Sequence, residues 1–117
     1  MNPSITPEPP LPPGNTRICI DLAGCATKAE LLDRTARAFK FPDWFGHNWD
    51  ALADCLTDLS WLPASGYTVV IAHAQGLRQA EPGTWSTFLD VLQEASAFWK
   101  DEGIDVLIVD ADDHRRA

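Results

Sequence analysis

The stretch Tyr67 to Ala74, Y-T-V-V-I-A-H-A, constrains the fold more than any other part of this chain. An unbroken apolar run of strand type, rich in β-branched residues, suits a strand covered on both faces, the usual situation in a parallel sheet. Two shorter strand patterns flank it, R-I-C-I-D-L from Arg17 to Leu22 and I-D-V-L-I-V from Ile104 to Val109. Helical patterns fill the spaces between. After Thr27, with Glu30 completing a capping box, a helix is expected to about Lys40, packing through Leu31, Leu32, Ala36 and Phe39 and stopped by Pro42. Asn48 to Leu59 reads as a second helix with Asn48 as its N-cap. Gln75 to Gly83 is harder to place and reads as one short helical turn. Trp85 to Glu102 is the longest helix, with Thr84 as its cap, Phe88, Val91, Leu92, Ala95 and Trp99 inward, and Gly103 just past its end. The fold class is therefore α/β, a small three-stranded parallel sheet packed against three to four helices through right-handed crossovers.

The 117 residues allow one domain, expected over 17–110. Residues 1–16 contain six prolines, which block helix and strand interiors, and read as a disordered lead-in. A passive lead is preferred there to a proline-rich ligand motif, and 111–117 reads as a flexible tail. The start has no basic region followed by an apolar run, so no signal peptide is expected. No apolar stretch is long enough for a bilayer. Cys19, in an apolar strand pattern, and Cys55, on an apolar helical face, are both expected to be buried thiols, and with Cys25 they form no disulfide framework. These features fit a reducing, cytoplasmic setting.

The formal charge of -8 argues against a direct grip on nucleic acid and favours attraction of a basic partner. Much of that charge sits in F-P-D-W-F-G-H-N-W-D-A-L-A-D-C-L-T-D, Phe41 to Asp58, which has no lysine or arginine. On a helical wheel Leu52, Cys55, Leu56 and Leu59 fall in a core arc of roughly 100°. Asp50, Asp54 and Asp58 recur at i, i+4 and i+8 almost opposite. Like charges at that spacing repel by about 0.3 kcal/mol per pair, and Asp58 lies near the end where a cation would be better placed. Stability alone does not select such a stripe. Ahead of the helix stand Trp44, Phe45, Gly46 and His47. One of the two aromatics is expected to anchor in the core, and Gly46 to permit an unusual backbone angle or a close approach. An aromatic beside uncompensated carboxylates has the anatomy of a protein-binding hot spot. The bland alternative is a solvated polar face.

Catalytic and metal readings fare worse. A stripe opposite the core gives Asp50 and Asp54 no burial to raise a pKa for acid–base work. His47 and His73 lack an activated serine, and Cys55 points inward. The spacings match neither H-E-x-x-H nor a calcium loop, and Asp110, Asp112 and Asp113 read as a solvated tail cluster. No glycine-rich phosphate cradle follows a strand. No metal and no cofactor are expected. A small enzyme using His47, Asp50 or His73 remains as an alternative, which a pocket joining those groups would support.

The segment from Leu32 to Asp58, strongest over Phe41 to Asp58, resembles the signature region of the barstar family, small intracellular inhibitors of secreted microbial ribonucleases. The resemblance extends over roughly Arg17 to Asp110. It implies a parallel three-stranded sheet with helices and an inhibitory surface made of the second helix and the loop before it. Position by position, it implies that Trp44 packs on the enzyme with Phe45 and Gly46 beside it. It implies that Asp50 opens the helix, that Asp54 enters the phosphate-binding site, and that Glu94 on the last helix adds a contact. His47, Asn48, Ala51 and Asp58 belong to the same surface, and Cys55 is the core cysteine. The implied partner is a basic extracellular or toxin ribonuclease bound one to one by an otherwise monomeric chain. The chain departs from the family in having Trp44 and Phe45 where tyrosines are common, His47 where the best-known member is acidic, and Ala53 in place of a tryptophan. Its last helix is about one turn longer, and its lead-in has no counterpart. A family-like module bound to a non-nuclease partner is the alternative these changes leave open.

Overall fold

A computed structural model describes residues 14–111 of the chain. Most of the proline-rich lead-in, Asp112, Asp113 and the rest of the C-terminal tail lie outside the described residues. The elements run β1 (Asn15–Asp21), α1 (Lys28–Phe39), α2 (Trp49–Leu56), β2 (Gly66–Ala72), α3 (Gln75–Ala80), α4 (Pro82–Asp101) and β3 (Asp105–Asp110). The first strand thus begins at Asn15, two residues before the start expected from the sequence.

All strands are parallel, and β2 lies between β1 and β3. Both crossovers therefore step across the sheet in the same direction. Right-handed crossovers taken twice in one direction lay every helix on the same face. The core has that composition: Ile18, Ile20, Val69 and Ile71 are buried with Leu31, Leu32, Phe39, Leu52, Leu56, Phe88 and Leu92 from the helices, and Val106 and Ile108 pack against them.

The opposite face of the sheet is open, which corrects two expectations. Cys19, Val70 and Val109 form one row across it in register, next to Arg17, Thr68 and Leu107. Cys19 is exposed, not buried, and Leu107 is 59% exposed. The run in β2 is central in the sheet but fully covered on only one side, with Val70 and Ala72 half-buried on the other. Strand alternation places Cys19 opposite the core residues Ile18 and Ile20, and the crossover direction leaves its face bare.

Local signals set the helix ends. Thr27 caps α1 through its side chain, and Glu30 returns the bond, completing the capping box. Lys40 ends the helix in the left-handed region, its N–H reaching the carbonyls of Ala36 and Arg37. Inside α1, Thr35 is buried with its hydroxyl donating to the Leu31 carbonyl, while Ala36 is only half-buried. The start of α4 differs from expectation. Pro82 occupies the first turn, where its missing N–H needs no partner, so Thr84 lies within the helix and donates to the Glu81 carboxylate instead of capping. At its other end Gly103 takes φ +82 and donates to the Lys100 carbonyl.

Candidate functional site

The loop between α1 and α2 is built on a row of aromatic rings. Phe41 touches Phe39, Phe45 and Trp61, with ring centres 5.6, 4.8 and 6.0 Å away. Trp61 donates its indole N–H to the Phe39 carbonyl at 3.0 Å. Backbone bonds from Phe41 to Ala36 and from Phe45 to Pro42 close the turn. Phe45 is only 6% exposed, whereas its neighbour Trp44 is 64% exposed. One aromatic anchors and the other projects. Phe45, counted with the docking residues from the sequence, is thus inward-facing and acts by holding the loop.

Gly46 and His47 divide their roles in an unexpected way. The left-handed backbone falls on His47, with φ 52, and Gly46 is needed for proximity instead. A Cβ at Gly46 would lie 3.2 Å from Asn48 Nδ2 and 3.7 Å from Ala51 Cβ. That space lets Asn48 donate to the Gly46 carbonyl at 3.3 Å while its side-chain oxygen caps α2 by accepting from Ala51 N–H at 2.7 Å. His47 rests its ring on Phe45, with centres 4.7 Å apart, and Nδ1 lies 3.2 Å from the Phe45 carbonyl oxygen.

An isolated helix as short as α2 is marginal in water, so tertiary contacts must hold it. Its buried side carries Leu52, Cys55 and Leu56. At its C-terminal end Trp99 of α4 donates to the Leu56 carbonyl at 2.7 Å, and Thr57 donates its hydroxyl back to Ala53. At its N-terminal end Lys28 of α1 stands 5.0 Å from the Trp49 ring centre. Sequence reasoning misses these clamps. Helical periodicity places Trp99 only on the packing face of its own helix, and neither Lys28 nor Trp61 carries a local signal.

Asp50 and Asp54 are exposed on the first and second turns of α2. Among the described residues neither makes an ion pair. Asp58 is a correction. The helix ends at Leu56, three residues earlier than expected, and Leu59 turns into the core with φ 49, so Asp58 lies in the turn beyond the helix. The exposed carboxylate stripe of α2 itself therefore consists of Asp50 and Asp54. Ala51 is half-buried beside the cap, and Glu94 is exposed on α4 with no hydrogen bond to either aspartate.

Burial pushes the Cys55 thiol up, and the nearby Asp54 and Asp58 carboxylates push it further. A thiol so placed is a poor nucleophile. His73 pairs with Asp21, its Nδ1 2.9 Å from the carboxylate, and not with His47 or Asp50. Asp110, expected in a solvated tail cluster, is instead the last residue of β3 and accepts from Arg78 at 2.7 Å. A cavity of about 10 Å³ among Phe39, Leu56, Leu59, Tyr67, Leu92 and their neighbours is apolar and contains neither histidine. No group of three or more metal-ligating side chains occurs among the described residues, and no helix there is long and apolar enough to cross a membrane.

The family model for Barstar (barnase inhibitor) matches residues 16–111. The chain belongs to the barstar family. The parallel three-stranded sheet with helices, expected from the sequence, is the barstar fold, and members of the family are inhibitors rather than catalysts. A search among curated proteins finds no match.

Proposed function

We propose that this barstar-family chain inhibits a basic ribonuclease of the barnase type by placing Asp54 and Asp50 in its phosphate-binding groove. The observation that carries this reading is the pair of exposed α2 carboxylates with no cation partner among the described residues, set beside the 64%-exposed Trp44 on a fixed aromatic base. Ribonuclease active sites hold lysine, arginine and histidine to grip phosphate. Carboxylates on a rigid helix can replace phosphate oxygens there through charge-assisted hydrogen bonds. Trp44 would lie over the cationic groups at the groove mouth and exclude water, strengthening those bonds. The formal charge of -8 would speed encounter with a basic enzyme. Rigidity matters because loop-ordering costs are met on folding and not on binding.

Titration of RNA cleavage by a barnase-type ribonuclease, at low and at physiological salt, tests the proposal. Inhibition should be stoichiometric, weakened by salt and largely lost in D54A. Binding without inhibition would instead make the chain a family-like module for a different surface or partner.

A further inference from the structure

His47 is the one imidazole of the proposed docking surface, and its geometry gives a change of charge there a direction. The ring is exposed yet held, tilted against the buried Phe45 ring and tied to the Phe45 carbonyl through Nδ1. A carbonyl oxygen can only accept, so Nδ1 carries the proton in the neutral ring. Nε2 is then the acceptor and makes no hydrogen bond or ion pair with any described residue. His47 takes a left-handed backbone, φ 52, which is strained for a residue with a side chain, although histidine tolerates it better than most. Backbone strain of that kind, held in place by a ring contact and a hydrogen bond, fixes where the ring stands.

We infer that His47 sets the hydrogen-bond polarity of the docking face, so that a basic partner is bound well while Nε2 accepts and poorly once it is protonated. This rests on the reading of that face proposed above. The loop and α2 that hold the ring, residues 41–58, carry Asp43, Asp50, Asp54 and Asp58 and no lysine or arginine, and Lys28 of α1 stands against Trp49 at the start of α2. None of them forms an ion pair with the imidazole. In the free chain a protonated His47 belongs to a segment that carries four carboxylates and no lysine or arginine. In the complex those carboxylates are occupied by the partner's cations, and an Nε2–H faces donors and positive charge. Protonation is therefore opposed more strongly in the complex than in the free chain, and binding releases a proton.

The test compares the dissociation constants of the native chain and H47Q for a barnase-type ribonuclease at pH 7.5, 6.5 and 5.5, at one ionic strength. Glutamine keeps an acceptor and does not titrate. Groups on the ribonuclease affect both proteins alike, so the ratio of the two constants isolates His47. Native binding should weaken relative to H47Q by about tenfold between pH 7.5 and 5.5, the interval in which an imidazole changes charge. H47N, which suits a left-handed backbone, should repeat the result if H47Q disturbs the loop. A ratio that stays constant with pH in both variants overturns the inference while leaving the docking face standing. Failure of all three proteins to bind at any pH overturns the docking face itself, and the inference falls with it.

Discussion

Carboxylates at the C-terminal rim of the sheet and carboxylates on α2 are treated oppositely by this fold. At the rim Asp21 accepts from His73 and from the Ala23 N–H, and Asp110 takes a 2.7 Å bond from Arg78, which also lies against the Trp85 ring. On α1, Asp33 is paired with Arg37. On α2, Asp50 and Asp54 have no such partner among the described residues. Of the chain's cations, Arg34 and Arg78 serve the rim and Arg37 serves α1. The paired carboxylates of the rim hold the ends of β1 and β3 to the segment that follows β2. Unpaired ones on a rigid helix cost a little stability and keep their hydrogen-bonding capacity for another molecule.

That contrast can be broken at its base. Truncating the anchor in F45A should cost about 3–5 kcal/mol, the usual penalty for deleting a buried phenylalanine, read as a lower midpoint in denaturant unfolding. The loop would lose its support, so affinity should fall as well even where the variant remains folded.

A cleaner separation comes from D54A, which should leave the unfolding midpoint within about 0.5 kcal/mol of native, as an exposed unpaired side chain does. Its affinity for the ribonuclease should fall by about 2–5 kcal/mol because the enzyme's buried cations would lose their partner. The barnase–barstar pair is itself among the systems behind that range, so the figure stands here by analogy with that pair.

The paired side of the comparison answers to acid. The hydrogen bond from His73, then that from the Ala23 backbone, holds the Asp21 carboxyl below its ordinary value of 3.8. A carboxyl with a lowered folded pKa contributes stability that is present above its unfolded pKa and lost as pH falls through the folded one. Urea midpoints measured from pH 5 down to pH 2 should therefore decline more steeply for the native chain than for D21N. At neutral pH the same substitution should have only a small effect, since the pair is exposed.

The smallest effect is expected at Asp58. Because it lies in the turn beyond the helix, its replacement in D58A should change affinity by less than about threefold, a difference within about 0.7 kcal/mol. A loss equal to that of D54A would show that the two carboxylates act together and would sink the substrate-mimic geometry.

Much of this architecture is written in local chemistry. The capping box of Thr27 and Glu30, the Asn48 cap, the stop at Lys40 and Pro42, the Gly103 end of α4 and the three strand patterns all depend on residues within a few positions of one another. The backbone bonds and φ angles they specify are likewise local, so the elements and their order can be read directly. The pairing of Asp50 with Asp54 on one helical face follows from the same short-range geometry. The choice between Trp44 and Phe45 as anchor cannot be read in this way, because it depends on Phe41 and Trp61, and Trp61 comes sixteen residues after Phe45 in the chain.

The α/β class, the element order and the acidic character of α2 are therefore properties of the amino-acid order alone, because periodicity and capping act over one or two turns. Three outcomes needed the assembled fold: α2 stops before Asp58, His47 rather than Gly46 takes the left-handed backbone, and Cys19 faces out. Each depends on partners beyond the reach of a local pattern: Trp99 closing α2, Phe45 seating the His47 ring on its buried aromatic base, and two crossovers running the same way across the sheet. Strand alternation is enough to tell that Cys19 lies opposite Ile18. Which side the helices cover is a matter of how the whole chain winds.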